Sequence, residues 1–321
     1  MDEHHINICQ VSLKRDIPLI IKNFENFKRF YKKIKIYIIC PSQDFLEFKN
    51  NLDFKEFKIL KEDDLISLVK FEEIFKSLSE NISYETDFKK RIRWYYQQVL
   101  KISFILKFII EENKKIIIWD ADTIILNKIN FFENDHSILY GNFNEFHRPY
   151  YDTNKEILKN LPSYYISFLN QFIAITVREG KFLIDKILGN EKKNICENLS
   201  KKILQSIFLV HKKFNGSMFS EYELIGQTNN LLNKKKQKPI LTLRFGLNGI
   251  LTKHQNLLVK ILNFKHVTYE HSHQNIDSVG MLNRKQSWSK LIKIMIKNLV
   301  KFYLRYLKHN FKYMIKKNGN C

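Results

Sequence analysis

Cysteine is scarce in this chain of 321 residues: Cys9, Cys40, Cys196 and Cys321 are far apart, form no CxxC pair and have no His near them at zinc-finger spacing. A disulfide framework and a structural zinc site are thereby excluded, and a reducing compartment suits the chain. Long apolar runs are also missing. No uninterrupted stretch approaches the roughly 18 residues that a membrane span requires, and the opening MDEHHINICQVSLKRD carries acidic residues but no extended apolar segment. The expectation is a protein neither exported by a standard signal nor threaded through a bilayer. No internal repeat occurs, and the low-complexity patch NKKKQKP (233–239) reads as a solvated loop. Acidic residues are few: 33 Asp and Glu stand against 54 Lys and Arg, giving a net charge of +21, and none follows Asp277. Such a balance favours polyanionic partners, whether nucleic acid, an anionic membrane face or phosphorylated ligands.

What is present is a chain able to fold. With 44% apolar and 14% aromatic residues it is not a disordered sequence, and its length suffices for a sizeable core. INICQVSL (6–13) reads as a strand, Ile17 to Tyr31 as a helix, and IKIYIIC (34–40) as a second strand, which together make a β-α-β unit. PSQDFLEFK turns into a short helix, and FKIL (57–60) is a third strand followed by an acidic loop. Ile92, Tyr96, Val99, Ile102, Leu106 and Ile109 recur every three or four positions, so 91–113 is a helix with one apolar face leading into IIIW. Runs that are continuously apolar, and not alternating, belong to parallel strands covered on both faces, so the first 130 residues read as a doubly wound α/β sheet. Beyond them the sequence becomes aromatic, polar and rich in loops, as expected of a half built from shorter elements.

Within IIIWDADTIIL (116–126), Asp120 and Asp122 interrupt an apolar run. An uncompensated carboxylate in such a setting costs several kcal/mol, so the pair needs a partner. Carboxylates at i and i+2 ending a strand can share one Mg2+ or Mn2+ with the phosphate oxygens of a ligand. The bland alternative is a solvated turn.

The stretch WDADTIIL resembles the DXD motif of GT-A-fold glycosyltransferases. A closer resemblance is to a bacterial group of glycosyltransferase-like proteins of surface-polysaccharide biosynthesis, carried by RWYYQQVLK (93–101), a PYY segment (149–151), SEYEL (220–224) and YEHSH (269–273), and covering roughly residues 5–280. The resemblance implies a GT-A-like, Rossmann-like domain over 1–283, with a mainly parallel central sheet flanked by helices, a nucleotide-binding half at 1–130 and an acceptor half at 131–283. It implies that Asp120, Ala121 and Asp122 meet the metal and the nucleotide-sugar diphosphate, that Val11, Ser12 and Asp16 border the nucleoside, and that Gln98 and Lys101 face the donor. An ammonium at Lys101 also makes independent sense beside phosphate. Glu221 or Glu223 is the candidate general base on an acceptor hydroxyl, against a helix-capping role or a pairing with Arg244. His271 is the candidate third metal ligand, with His266 and His273 competing. The implied partners are a nucleotide-sugar donor and a glycan or lipid-linked acceptor, with Mn2+ or Mg2+ as cofactor.

Two other functions fit the residues less well. A haloacid-dehalogenase-like phosphatase also has its aspartate motif after a strand, but position 124 is Ile and no adjacent Asp pair or GDxxxD follows. A nucleic-acid-binding protein would suit the net charge, yet no RNP, KH or helix-turn-helix signature is present and the charge concentrates in the tail and Lys-rich loops.

That tail, 284–321, is a basic extension. From Trp288 to Lys317, Lys290, Lys293, Lys297, Lys301, Arg305, Lys308, Lys312 and Lys316 recur every three or four positions among apolar residues, so an amphipathic helix with one basic face is expected. The expectation that follows is a cytoplasmic protein held at the inner face of the cytoplasmic membrane by this helix.

Overall fold

The computed structural model describes residues 5–79, 86–142, 145–159, 161, 166–189, 191, 193–211, 216–234, 237–244, 247, 249–269 and 284–318. Its first half alternates strand and helix: β1 (His5–Val11), α1 (Ile17–Phe30), β2 (Lys33–Cys40), α2 (Phe45–Asn51), β3 (Phe57–Lys61), α3 (Leu68–Ser79), α4 (Thr86–Glu112) and β4 (Ile116–Trp119). There follow β5 (Thr123–Ile125), the two-residue strands β6 (Phe132–Glu133), β7 (His136–Ser137) and β8 (Tyr140–Gly141), then α5 (Arg148–Leu158), β9 (Phe172–Ile175) and α6 (Val177–Leu188). The remainder is α7 (Ile195–Val210), α8 (Glu221–Asn233), β10 (Lys238–Pro239), α9 (Lys253–Ile261), β11 (His266–Thr268) and α10 (Trp288–Asn318).

Continuous apolar strands become the centre of a mixed α/β fold whose sheet has the order β3-β2-β1-β4-β9. The first four strands are parallel and β9 is antiparallel to β4. Because side chains alternate across a strand, neighbours on β1 serve opposite layers. Ile8 belongs to the apolar layer that contains Ile20, Phe24 and Phe27 of α1. Cys9 belongs to the opposite layer, with Val99, Ile102 and Ile105 of α4 and Leu204 of α7. Helices thus cover both faces, which explains why the central strand β4 is apolar throughout.

The second half is more regular than its polar texture suggests. Helix α7 runs for 16 residues, and β9 completes the same sheet that the first 130 residues begin. α8 comes so close to the segment before β9 that a methyl group at Gly226 would lie 2.2 Å from the Phe168 ring, so only glycine fits there. A third apolar cluster gathers Ile124, Leu126, Leu243, Val267 and Tyr269 with Leu291 and Met295 of α10. It fastens the root of the last helix to the ribbon made by β5 and β11. No helix among the described residues is long and apolar enough to cross a membrane.

Candidate active site

The turn after β4 is held by its backbone. Asp120 N–H donates to Gln171 O at 2.9 Å, and Thr123 N–H returns to Asp120 O at 3.0 Å. Trp119 Nε1 donates to Thr123 O at 2.7 Å, and Tyr269 N–H donates to Asp122 O at 2.9 Å. With the main chain so occupied, Asp120 and Asp122 stand at the carboxyl end of a mainly parallel sheet, where open α/β sheets take their ligands.

The partner that Asp120 requires is partly internal. Lys101 on α4 is 3% exposed; its Nζ lies 2.5 Å from Asp120 Oδ1 and 2.6 Å from Glu221 Oε1. Tyr222 donates its hydroxyl to the same Asp120 Oδ1 at 2.6 Å, and its ring lies under the ammonium at 4.9 Å. Burial by itself would lower the Lys101 pKa, but Asp120 and Glu221 outweigh it and hold the ammonium above its ordinary range. Burial raises the Glu221 carboxyl pKa despite Lys101. It likewise pushes the Tyr222 phenol up, with Asp120 and Glu221 adding to the effect, so Tyr222 remains a donor. One ammonium thus faces two carboxylates, with Asp122 beyond them, so the site retains negative charge toward solvent.

Among the described residues no three of His, Cys, Asp and Glu converge to hold a metal. Asp122 is half-buried and accepts a 3.3 Å contact from its neighbour Thr123, while Asp120 already shares Oδ1 with two donors. This set does not fit an ion caged by protein alone. It fits one that arrives with phosphate oxygens and water completing its shell, as Mg2+ commonly does. His271 and His273 lie outside the described residues. His266 is within them, on β11, buried with its ring edge-on to Trp119 and Phe172. Burial, aided by Arg244, lowers its pKa to about 3, which makes it a neutral core residue.

The remaining candidates separate by what they touch. Gln98 accepts the Glu221 N–H at 3.1 Å and donates to Trp94 O at 3.4 Å, so it fixes the first turn of α8 through protein contacts. Asp16 accepts the Leu13 N–H at 3.0 Å and closes the loop after β1. Glu223 accepts from the Ser167 hydroxyl, from Phe168 N–H at 3.1 Å and from Gln227 Nε2 at 3.3 Å. Its carboxyl braces the segment before β9, and burial raises its pKa to about 7. Arg244 pairs with Glu145 at 2.6 Å. Val11 and Ala121 are buried beside the site. Ser12 Oγ, Asn170 Oδ1 and Ser220 Oγ are buried with no hydrogen-bond partner among the described residues. They follow β1, precede β9 and precede α8 respectively, and Gln10, Ser103, Asn154, Gln227, Asn229 and His266 also carry such atoms, so the feature is not confined to the site.

Sequence reasoning named Lys101, Asp120 and Glu221 singly and missed Tyr222, whose position beside Glu221 in SEYEL was the available signal. No family model matches the chain, and no curated protein matches it in sequence. Among solved structures it is similar to mouse Xyloside xylosyltransferase 1 in its apo form, with a TM-score of 0.42 and 8% identity over 84% of this chain and 98% of that one. So distant a likeness does not fix a fold family, and the functional reading rests on the site.

Proposed function

We propose that the chain is a glycosyltransferase with a GT-A-like fold, moving a sugar from a nucleotide-sugar donor to a glycan or lipid-linked acceptor in cell-surface polysaccharide synthesis. One observation carries the reading: Asp120 and Asp122 follow the buried strand β4 at the carboxyl end of the sheet, and Asp120 meets there the Lys101 ammonium that also holds Glu221. A structural ion pair has no need of the second carboxylate, whereas a cation held together with a donor diphosphate uses both.

Asp122, with Asp120 beside it, would hold Mn2+ or Mg2+ together with the donor diphosphate. Such an ion offsets negative charge on the leaving diphosphate. Lys101 holds Asp120 in place through its Oδ1, and Tyr222 fixes the same oxygen. Of the two glutamates, Glu221 adjoins Asp120 and has the raised proton affinity that suits a base receiving a hydroxyl proton; Glu223 is committed to Ser167 and Phe168. The test is a thermal-shift panel of UDP-, GDP- and CMP-sugars with Mn2+, because a ligand that binds only the native state raises its stability. A donor-specific rise in melting temperature that disappears with a chelator supports the reading. No rise with any donor, in protein shown to be folded, contradicts it.

A further inference from the structure

Helix α10 presents three faces. Leu291 and Met295 are buried in the third cluster against Val267 and Tyr269. Trp288, Ile292, Ile296, Val300, Tyr303 and Leu307 recur at steps of three and four, so they form one stripe along a helix of 3.6 residues per turn. Each of them is between 44% and 63% exposed. A second stripe, also exposed, consists of Lys290, Lys293, Lys297, Lys301, Arg305 and Lys308, and the helix contains no acidic residue.

We infer that this helix is the docking surface for an anionic lipid bilayer, lying in the interface with its apolar stripe among the acyl chains and its basic stripe on the headgroups. Charge decides the occupant. A second copy docking helix against helix would bring two acid-free basic helices together. A nucleic acid would neutralise the basic stripe but leave the apolar one in water. An anionic leaflet satisfies both stripes, and each basic residue near such a surface strengthens partitioning by roughly fivefold. Trp288 and Tyr303 have the amphipathic rings that favour the headgroup level. The inference does not depend on sugar transfer, though it adds to it: the buried face of α10 is fastened to β5 and β11, and β5 begins directly after Asp122. The membrane would therefore lie at a fixed position relative to the carboxylate turn.

The experiment is flotation of the full chain with phosphatidylcholine vesicles and with vesicles containing phosphatidylglycerol, alongside tryptophan emission, with W288F assigning the Trp288 contribution. Two triple variants, all at exposed positions, separate the stripes: K293E/K297E/K301E and I296S/V300S/L307S. The expected result is binding to the anionic vesicles only, a blue shift of Trp288, and a loss of at least about tenfold in both variants. Equal binding to neutral vesicles, binding unaffected by either variant, or a helix-mediated dimer or nucleic-acid complex in place of vesicle binding would overturn it. A glycosyltransferase that turns over donor yet ignores vesicles would sink this inference alone. Vesicle binding without any donor recognition would sink the functional reading alone.

Discussion

The Lys101 ammonium lies 2.5 Å from Asp120 Oδ1, across 19 residues of chain, and gives the first carboxylate of the strand-end pair an internal counter-ion. Glu221, 120 residues away from Lys101, is held by the same nitrogen. The two contacts join α4, the turn after β4 and the start of α8 at a single atom.

Removing that atom should therefore be costly. Lys101→Met leaves Asp120 and Glu221 close together without their cation, and breaking a buried pair in this way costs about 3–5 kcal/mol. Urea denaturation should show the loss, and adding Glu221→Gln to the Lys101→Met protein should recover part of it. A loss below about 1 kcal/mol would mean that the cluster is not the fixed structural unit described.

Glu223 predicts a pH dependence that its substitution should erase. Its folded pKa is raised from 4.5 to about 7, so between those values the native state binds more protons than the unfolded chain. Stability from this group is fully present below pH 4.5 and is lost as pH rises through about 7, to an extent of up to about 3 kcal/mol. Glu223→Gln keeps an acceptor for Ser167 and Phe168 but does not titrate. Its unfolding free energy, measured from pH 5 to 8, should fall less steeply than that of the wild type; parallel curves would contradict the assignment.

His266 acts in the opposite direction. With a folded pKa lowered from 6.5 to about 3, its contribution is present above pH 6.5 and is lost as pH falls toward 3, because the unfolded chain takes up the proton first. His266→Phe should flatten the acid side of the stability curve between those limits, as followed by thermal melts in a pH series. An unchanged acid limb would show that the ring is not held neutral in the core.

How much of this was legible depended on periodicity. INICQV and IKIYIIC are mainly apolar and IIIW is wholly so, and they became parallel strands; the spacing from Ile92 to Ile109 became α4. FIAI (172–175) lies outside the strands read from the sequence, and its antiparallel pairing with β4 is a tertiary outcome. α8 hides for a different reason: every residue from Glu221 to Asn229 is buried, polar and apolar alike, so the helix is enclosed on all sides and gives no hydrophobic period. The individual site residues could be named from motif and chemistry. Their convergence could not, since the Lys101–Glu221 contact spans 120 positions and no local rule relates the two.

The central claim is that Asp120 and Asp122 hold a cation that in turn holds a sugar donor's diphosphate. Calorimetric titration of the nucleotide-sugar selected by thermal shift tests it most directly, with Mn2+ present or chelated, into the wild type and into Asp122→Ala. The account predicts binding that requires Mn2+ and weakens by about a hundredfold or more in Asp122→Ala, a deficit of about 3 kcal/mol. Metal-dependent affinity that survives Asp122→Ala unchanged would contradict it.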